Sequence, residues 1–338
     1  MSSSAQTQAP SPEIVFDTLQ AYQRTVALRG AIDLDLFTAV AEGNQSLSAI
    51  AARIKASEKG TRVLCDYLTM MGFLVKQNGE YTLTPESAAF LNRKSPAYMG
   101  TMAKFLVSPQ VAGMLENITD VIRHGGALPS NQGPLEPNHP IWVEFARSMA
   151  PMMRMPAQLI AQMFAGDSKS IKVLDISAGH GLYGIAFAQQ NPNAKIVGLD
   201  WANVLEVAKE NAVNTGVANR YSTLPGSAFE VDFGTGYDII LIPNFLHHFD
   251  PATNEKVLRK VHAALVPQGI AITPEFIPNE DRISPHRDAM FSMQMLGTPA
   301  GDAYTFAELE AMFRNAGFAH SEMRDLVPFP QRLVVSYR

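Results

Sequence analysis

One stretch near the middle of the chain, residues 172–201, restricts the possible fold more than any other. A short apolar run is followed by a turn that contains Gly179 and Gly181, and the residues after the turn have the apolar spacing of a helix. A second apolar run then ends at Asp200. This order predicts a strand, a glycine loop, a helix and a second strand, which together form a βαβ unit.

The glycine loop of such a unit also predicts the kind of ligand. Its glycines let a ligand approach the backbone at a helix N-terminus, and an acidic residue at the end of the second strand binds ribose hydroxyls. Asp200 occupies that acidic position. We therefore expect a cofactor that contains adenosine.

Two adenosine cofactors compete for this loop. Gly179, Gly181 and Gly184 spell the GxGxxG pattern of dinucleotide-binding folds, so an NAD-dependent oxidoreductase is one interpretation. Asp175 argues against it, because a carboxylate at the end of the first strand would repel a pyrophosphate. S-adenosylmethionine has an ammonium group at its methionine end and a ribose on the other side. Asp175 and Asp200 match these two polar ends, which favours S-adenosylmethionine.

The bulk properties of the chain limit its class and partners. A length of 338 residues predicts two domains, and 46% hydrophobic with 17% charged residues is ordinary for a globular enzyme. The net charge of −5 argues against a nucleic-acid partner, because such binding depends on neutralising phosphates. No apolar stretch approaches the roughly 20 residues that span a bilayer, so no membrane partner is expected.

Two further features predict a cytoplasmic protein. Cys65 is the only cysteine, which excludes an internal disulfide and suits a reducing compartment. Residues 1–11 are polar and lack the basic start and the apolar segment of a signal peptide, so we expect a disordered tail there.

The N-terminal part of the chain predicts a small helical domain with a β-hairpin. Residues 12–41 have apolar side chains at helical spacing and are expected to form one long helix. Ser48 and Ser57 are expected to cap two shorter helices, and Asn78 with Gly79 predicts a hairpin turn. Two helices followed by a hairpin of this kind form a winged helix.

A winged helix suggests two functions. One is DNA binding, but the second helix mixes acidic and basic residues and Lys76 is the only basic residue of the wing, so the domain has no basic face. The other is dimerisation, because so small a domain cannot cover the long apolar first helix and leaves surface for a partner subunit. We favour a homodimer.

After Asp200 the chain keeps alternating between helices and strands. Helices are expected at 202–216, 251–265 and 305–317, and strands at 220–223, 237–244, 270–276, 318–326 and 332–337. This alternation predicts a mostly parallel, doubly wound α/β sheet whose ligand crevice lies at the carboxyl ends of the strands. The domains expected are a tail (1–11), a winged-helix dimerisation domain (12–100), connecting and substrate-lining helices (101–165) and a cofactor-binding domain (166–338).

Candidate catalytic residues follow the strands that end at this crevice. Asn244, His247 and His248 come after the fourth strand, and Glu275 ends the fifth. A histidine and a carboxylate on neighbouring strand ends suit a general base and the group that orients it. His248 can equally be interpreted as a solvated loop residue. A metal site that includes Asp250 is not expected, because adjacent histidines on an extended segment point in opposite directions.

Several separate motifs resemble one family. The order D-x-x-x-G-x-G at 175–181 is similar to motif I of the class I methyltransferases. Ser177 stands where a glycine is usual, so a slightly different loop position around the ligand is expected. The stretches ALRGAIDLDLF, FLHHFD, PEFIP and PGSAFEVDFG are similar to segments of the plant-type O-methyltransferases, such as caffeic acid O-methyltransferase, and of their bacterial relatives in secondary metabolism. The resemblance covers nearly the whole chain.

The resemblance implies a Rossmann-like methyltransferase domain that moves a methyl group from S-adenosyl-L-methionine to a hydroxyl of a small aromatic acceptor. It makes His247 the catalytic base and Glu275 its flanking carboxylate. It makes Met149 and Met295 clamps on the acceptor ring, with His248 beside them, although methionines at helical spacing more often pack in a core. The loop at 124–140 is expected to shape the entrance.

For the cofactor, the resemblance places Ala228 and Phe229 near adenine, and Trp201 is in position to stack on its face. The complete set of predicted cofactor residues is Asp175, Ser177, Gly179, Gly181, Asp200, Trp201, Ala228, Phe229 and Asn244.

Three positions depart from the family pattern. His248 stands where the family often has Asp, Phe249 where it has Trp, and Ala303 where a second glutamate would flank the catalytic histidine. The histidine that the resemblance makes the base is therefore present, but only one of its two flanking carboxylates is. These departures keep a further alternative open, a protein that binds the cofactor without methylating, either as a regulator or as a divergent enzyme.

Overall fold

The computed structural model describes residues 10–128, 138–327, 329 and 331–338. Most of the predicted tail and most of the 124–140 loop lie outside the described residues. The chain divides into two compact units, residues 1–103 and 104–338. Each unit is described by itself.

The first unit is helical with one hairpin. Its elements are α1 (Glu13–Gln20), α2 (Tyr22–Asp33), α3 (Leu36–Ala41), α4 (Leu47–Ile54), α5 (Glu58–Met70), β1 (Leu74–Gln77), β2 (Glu80–Leu83) and α6 (Pro85–Phe90). The hairpin is confirmed: Asn78 and Gly79 both have positive φ, as a type I′ turn requires. The cap at Ser57 is also confirmed, since its hydroxyl accepts from the backbone of Gly60 at 3.1 Å.

Two predictions for this unit are wrong in detail. The single helix expected at 12–41 is three helices, and the last break comes at Asp35, which has φ 58° and whose carboxylate pairs with Arg53 and Arg93. The cap of α4 is Ser46, not Ser48, because the Ser46 hydroxyl accepts from the Ala49 amide at 3.3 Å.

The first two helices expose a row of apolar side chains. No residue of α1 is buried. Exposed fractions run from 56% for Val15 and Val26 to 73% for Ile14. The other members of this row are Phe16, Leu19 and Tyr22. We call these six residues the α1/α2 apolar row. Within the first unit, these side chains therefore lack the cover that large apolar groups usually find.

The second unit is an α/β domain. Its helices are α7 (Met102–Leu106), α8 (Pro109–Gly113), α9 (Ile118–His124), α10 (Pro140–Phe164), α11 (Leu182–Gln190), α12 (Ala202–Asn214), α13 (Pro251–Ala264), α14 (His286–Met295) and α15 (Phe306–Asn315). Its strands are β3 (Lys172–Ile176), β4 (Lys195–Asp200), β5 (Tyr221–Pro225), β6 (Tyr237–Leu241), β7 (Leu265–Glu275), β8 (His320–Asp325) and β9 (Arg332–Tyr337). Among the described helices, none combines the length and the apolar character that a bilayer crossing needs.

The predicted fold class is confirmed. The seven strands form one sheet in the order β5-β4-β3-β6-β7-β9-β8, in which the first five are parallel and β9 is antiparallel to both of its neighbours. The strand order reverses at β3, between β4 and β6, so the ligand crevice of a doubly wound sheet lies at the carboxyl ends of these strands. The helix predicted at 305–317 begins with a capping box formed by Thr305 and Glu308.

Behind the β3–α11 loop, a buried phenol occupies the space that two glycines leave open. A methyl group added at Gly198 of β4 would collide with the hydroxyl of Tyr221, and one added at Gly181 would meet the same hydroxyl at 2.9 Å. The Tyr221 hydroxyl has no hydrogen-bond partner within the described residues. The phenol therefore fills this space, but its hydroxyl is left without a hydrogen bond, which costs free energy.

We expect Gly198→Ala to lower the free energy of unfolding by about 1–3 kcal/mol, because the new methyl overpacks against Tyr221. Tyr221→Phe should be neutral or stabilising, and the loss caused by Gly198→Ala should be smaller in that background. Urea unfolding of the four proteins measures this. Gly30→Ala, where a methyl meets no atom within 4 Å, is the control. Equal losses in both backgrounds would contradict the predicted collision.

Candidate active site

The loop between β3 and α11 has the backbone of a glycine loop even where glycine is missing. Gly179 and Gly181 have φ of 55° and 73°. Ser177 has φ 55°, the left-handed conformation that a glycine adopts without strain. Although Ser177 replaces the glycine that is usual in the family, the backbone at this position keeps the left-handed conformation.

Asp200 connects this loop to the end of β4. Its Oδ2 accepts a hydrogen bond from the Gly179 amide at 2.8 Å, and its Oδ1 accepts one from the Trp201 amide at 2.7 Å. Burial raises the pKa of Asp200 to about 6, while these two amides act in the opposite direction. Each carboxylate oxygen keeps a second lone pair. Asp200 is thus able to accept from ribose hydroxyls while it holds the loop.

The N-terminal amides of α11 are already used by the protein. The Gly184 amide donates to Oδ2 of Asp175 at 3.0 Å, and the Leu182 amide donates to Nδ1 of His180 at 3.2 Å. A pyrophosphate bound at this helix end would need such donors. The hydrogen bonding therefore disfavours a dinucleotide, in agreement with the interpretation based on Asp175.

Asp175 has one carboxyl oxygen that no described group of the protein binds. It is 0% exposed, and its Oδ1 has no hydrogen-bond partner within the described residues. Burial raises its pKa to about 8. A buried carboxylate of this kind is stabilised when a cation binds beside it. The residue therefore fits a ligand that carries an ammonium group.

The predicted adenine side is built around a lysine that the sequence analysis missed. Lys260 of α13 donates to the carbonyl oxygen of Ala228 at 2.8 Å, which fixes the backbone next to Phe229. The Phe229 ring lies 4.9 Å from the Phe249 ring in an edge-on arrangement. Trp201 is half-buried and packs in a small apolar cluster with residues of α10 and α12.

Asn244 follows β6 and has φ 51°. Its Oδ1 accepts from Nε2 of Gln331 at 2.5 Å, and its Nδ2 lies 3.9 Å from the Met153 sulfur. These contacts use the side chain within the protein. Its predicted contact with the cofactor stays a prediction.

His247 and Glu275 form a buried pair at neighbouring strand ends. His247 Nδ1 donates to Oε2 of Glu275 at 2.6 Å, and the Leu246 amide donates to Oε1 at 3.0 Å. The two side chains are 6% and 3% exposed. Both carboxylate oxygens are therefore engaged, and the imidazole is held in one orientation with Nε2 directed away from the carboxylate.

His248 is not the solvated loop residue that one interpretation suggested. Its Nδ1 is buried without a hydrogen-bond partner within the described residues, and its ring lies 5.6 Å from the Trp142 ring and 4.3 Å from the His247 ring. Burial, followed by the effect of His247, holds the pKa of His248 well below its ordinary value. His248 is therefore a neutral, half-buried group beside the pair.

Aromatic side chains that the sequence analysis missed surround this pair. Phe291 of α14 packs edge-on against His247 with ring centroids 4.8 Å apart, and Phe276 lies 4.3 Å from Phe291. Met295, one turn after Phe291, is buried, as is Met149 of α10. The spacing of Phe291 and Met295 along one helix is the sequence signal for this wall.

The segment that contains Ala303 packs against the backbone of His247. The Asp302 amide donates to the His247 carbonyl oxygen at 3.0 Å, and Ala303 is fully buried. Among the described residues, no group of three metal-binding side chains occurs. The Asp250 carboxylate instead caps α13 by accepting from the backbone and the hydroxyl of Thr253.

Comparison with known proteins agrees with this geometry. Residues 138–319 match the model of the O-methyltransferase domain, and residues 16–93 match that of the O-methyltransferase dimerisation domain. The chain belongs to the O-methyltransferase family. It is an S-adenosyl-L-methionine-dependent O-methyltransferase, and the unpartnered oxygen of Asp175 and the position of Asp200 fit that cofactor.

Several relatives of this O-methyltransferase are known. It is 26% identical over 311 residues to 3-hydroxy-5-methyl-1-naphthoate 3-O-methyltransferase from Streptomyces sahachiroi, covering 90% of this chain and 89% of the relative. The crystal structure of a proposed O-methyltransferase from Nostoc punctiforme is 52% identical, with a TM-score of 0.94 over 98% of this chain and 100% of that one. Human N-acetylserotonin methyltransferase in complex with SAM shares the fold, with 20% identity and a TM-score of 0.83 over 100% and 99% of the two chains.

The raised pKa of Asp175 predicts an effect of pH on stability. Between the unfolded value of 3.8 and the folded value of about 8, the folded protein holds a proton that the unfolded chain releases. The contribution of Asp175 to the free energy of unfolding should therefore fall as pH rises, by up to about 1.4 kcal/mol per pH unit. Asp175→Asn removes this contribution.

Urea unfolding of the cofactor-free protein at pH 5, 6 and 7 measures this slope. We expect the stability of Asp175→Asn relative to the native protein to increase with pH over this range. Asp167→Asn, at an exposed position, is the control and should show no such trend. Parallel curves for the native protein and Asp175→Asn would contradict the prediction.

Proposed function

We propose that this enzyme methylates a hydroxyl group of a small aromatic acceptor and that His247 is the general base. The observation that carries the proposal is the buried hydrogen bond between His247 and Glu275 at the ends of β6 and β7. It lies at the crevice where β3 and β4 present Asp175 and Asp200. Base and cofactor residues thus share one edge of the sheet.

The hydrogen bond determines which nitrogen acts. A neutral imidazole that donates from Nδ1 carries its lone pair on Nε2. Glu275 therefore keeps His247 in the tautomer in which Nε2 accepts a proton, and it stabilises the imidazolium that results. Because Leu246 occupies the other oxygen of Glu275, the carboxylate cannot rotate freely.

Positioning contributes more than proton removal to this reaction. S-adenosylmethionine, when bound, supplies an electrophilic methyl group on a sulfonium. Holding two reactants in contact can contribute about 7–11 kcal/mol, whereas a general base adds roughly 10²- to 10⁴-fold in rate. A phenol near pKa ~10 is about 3.5 units less acidic than an imidazolium near ~6.5. The proton therefore leaves in concert with methyl transfer, or the acceptor is more acidic than a simple phenol.

The loss of the second flanking carboxylate is compatible with this role. Where the family places a glutamate, Ala303 is fully buried, and the neighbouring Asp302 amide binds the His247 carbonyl oxygen. The backbone of His247 is thus held by one segment and its ring by Glu275. We infer that the base acts with one orienting carboxylate.

The proposed acceptor site lies on the aromatic side of the pair. Met149, Met295 and His248 are the predicted acceptor residues, and Phe291 extends the same apolar wall. The relative from S. sahachiroi methylates a hydroxynaphthoate, a flat bicyclic ring. A flat aromatic hydroxyl compound is the acceptor class that this wall suits. No nucleic-acid or membrane partner is proposed, and a cytoplasmic location stays a prediction.

Replacing the proposed base tests this function. We expect His247→Ala to lower the rate of methyl transfer at least tenfold, because the imidazole that Glu275 holds in position to accept the proton is then missing. Affinity for S-adenosylhomocysteine, measured by calorimetry, should stay unchanged. His320→Ala, which removes an exposed histidine stacked on Tyr337, is the matched control. An unchanged rate in His247→Ala would show that another group is the general base.

We propose that the enzyme works as a homodimer through the α1/α2 apolar row. The match to the dimerisation domain supports this, and so does the exposure of Leu19 at 71% and of Phe16 at 58%. Large apolar side chains exposed in a row are typical of a surface that a partner covers.

The double variant Phe16→Glu/Leu19→Glu should dissociate the dimer into monomers, because it places two charges in an apolar interface. Light scattering at micromolar protein concentration measures the mass. Gln20→Glu adds a charge to the same helix without removing an apolar group and should remain dimeric. A native protein that is already monomeric would refute the proposed dimer.

A further inference from the structure

One buried carboxyl group has no role in the reaction described so far. Asp288 of α14 is 1% exposed, and its Oδ1 has no hydrogen-bond partner within the described residues. A buried polar atom without a partner costs free energy, and folded proteins contain few of them. An unsatisfied carboxylate oxygen at such a position is often a place where a ligand binds.

Asp288 lies on the face of α14 that contributes to the acceptor site. Residues three and four apart share one side of a helix, so Asp288 and Phe291 lie on the same side, and Met295 follows one turn later. The Phe291 ring packs against His247. With a rise of about 1.5 Å per residue, Asp288 is roughly 4.5 Å along the helix axis from Phe291. Asp288 therefore lies one turn before Phe291 on the buried face of α14, the face that also carries Met295.

Two cations act on this carboxyl group, Arg332 and Arg287, but neither donates a hydrogen bond to its Oδ1. Arg332 directs its Nη1 to the Ile277 carbonyl oxygen at 3.0 Å and to Oδ1 of Asn279 at 2.7 Å. Its Nε lies 3.4 Å from Oδ1 of Asp325. Burial raises the pKa of Asp288 to about 6, so the group is mainly a carboxylate at pH 7.5. An acceptor-only group with a free oxygen is thus present on the same face of α14 as Phe291.

We propose that Asp288 is a specificity residue that binds a hydrogen-bond donor of the acceptor, a second hydroxyl or an amine on the ring system away from the methylated oxygen. The inference deepens the proposed function and rests on it. A donor at this point satisfies Oδ1, an ether oxygen leaves it unsatisfied, and a carboxylate adds like-charge repulsion. The favoured acceptors are therefore neutral or cationic aromatic hydroxyl compounds with a second donor group.

A set of ring-matched ligands tests this assignment. The probes are 2,7-dihydroxynaphthalene, 7-amino-2-naphthol, 7-methoxy-2-naphthol and 7-hydroxy-2-naphthoate, titrated calorimetrically into the full-length protein loaded with S-adenosylhomocysteine at pH 7.5. We expect the dihydroxy and amino ligands to bind at least tenfold more tightly than the methoxy ligand, and the naphthoate to bind most weakly. In Asp288→Ala the tenfold preference should fall to less than threefold.

Two variants separate a binding role from a structural one. Asp288→Asn keeps a neutral oxygen acceptor and should restore part of the preference for the hydroxyl ligand. Asp325→Asn removes a nearby charge from an exposed position and should leave the preference unchanged. Without ligand, Asp288→Asn should unfold at the same or a higher temperature than the native protein, whereas a structural role for the carboxylate predicts a lower temperature.

The outcomes distinguish this inference from the proposed function. An equal preference in the native protein and Asp288→Ala, no preference in the native protein, or no binding of any probe overturns the role of Asp288. Methyl transfer to the same probes is measured on separate samples of each protein that contain S-adenosylmethionine instead of S-adenosylhomocysteine. A preference that depends on Asp288 without any methyl transfer supports the inference and overturns the proposed function. Methyl transfer without that preference supports the proposed function and overturns the role of Asp288.

Discussion

Parallel pairing of β3 with β4 on one side and with β6 on the other determines where the groups of the active site lie. In this register Asp175 stands opposite Gly198 and Leu241. A shift by one residue would turn Asp175 to the other face of the sheet and would separate its Oδ2 from α11. Because all five parallel strands end at the same edge, the cofactor loop, Asp200 and the His247–Glu275 pair come together although they are far apart in the chain.

The buried carboxylates fall into two groups with different physical roles. Glu275 and Asp200 have hydrogen bonds on both oxygens, so each fixes a neighbouring segment or ring in position. Asp175 and Asp288 each keep one oxygen without a partner within the described residues, which is unfavourable until a ligand supplies a cation or a donor. The same side-chain chemistry thus serves for rigidity in one case, and we propose that it serves for recognition in the other.

The sequence predicts the fold class and the alternation of helices and strands well because apolar periodicity and glycine turns are local signals. The βαβ unit, the hairpin at Asn78 and the family were all recovered. The break at Asp35 was missed because its left-handed backbone and its ion pairs with Arg53 and Arg93, which are distant in sequence, leave no periodic signal. Lys260, Phe291 and Asp288 were missed for a related reason: only the folded chain shows what each of them faces.

The active site divides into two parts with different supports. The proposed cofactor residues and the proposed base follow strands of a hydrogen-bonded sheet, whereas Met149, Phe291 and Met295 of the proposed acceptor site lie on α10 and α14, which are outside the sheet. Side chains on α14 can change without altering a single strand hydrogen bond. A mutagenesis library confined to the inner face of α14 would therefore explore new acceptors while the donor half of the catalyst is kept intact. Because the acceptor side and the cofactor side are built from different elements, laboratory evolution can change the first without disturbing the second.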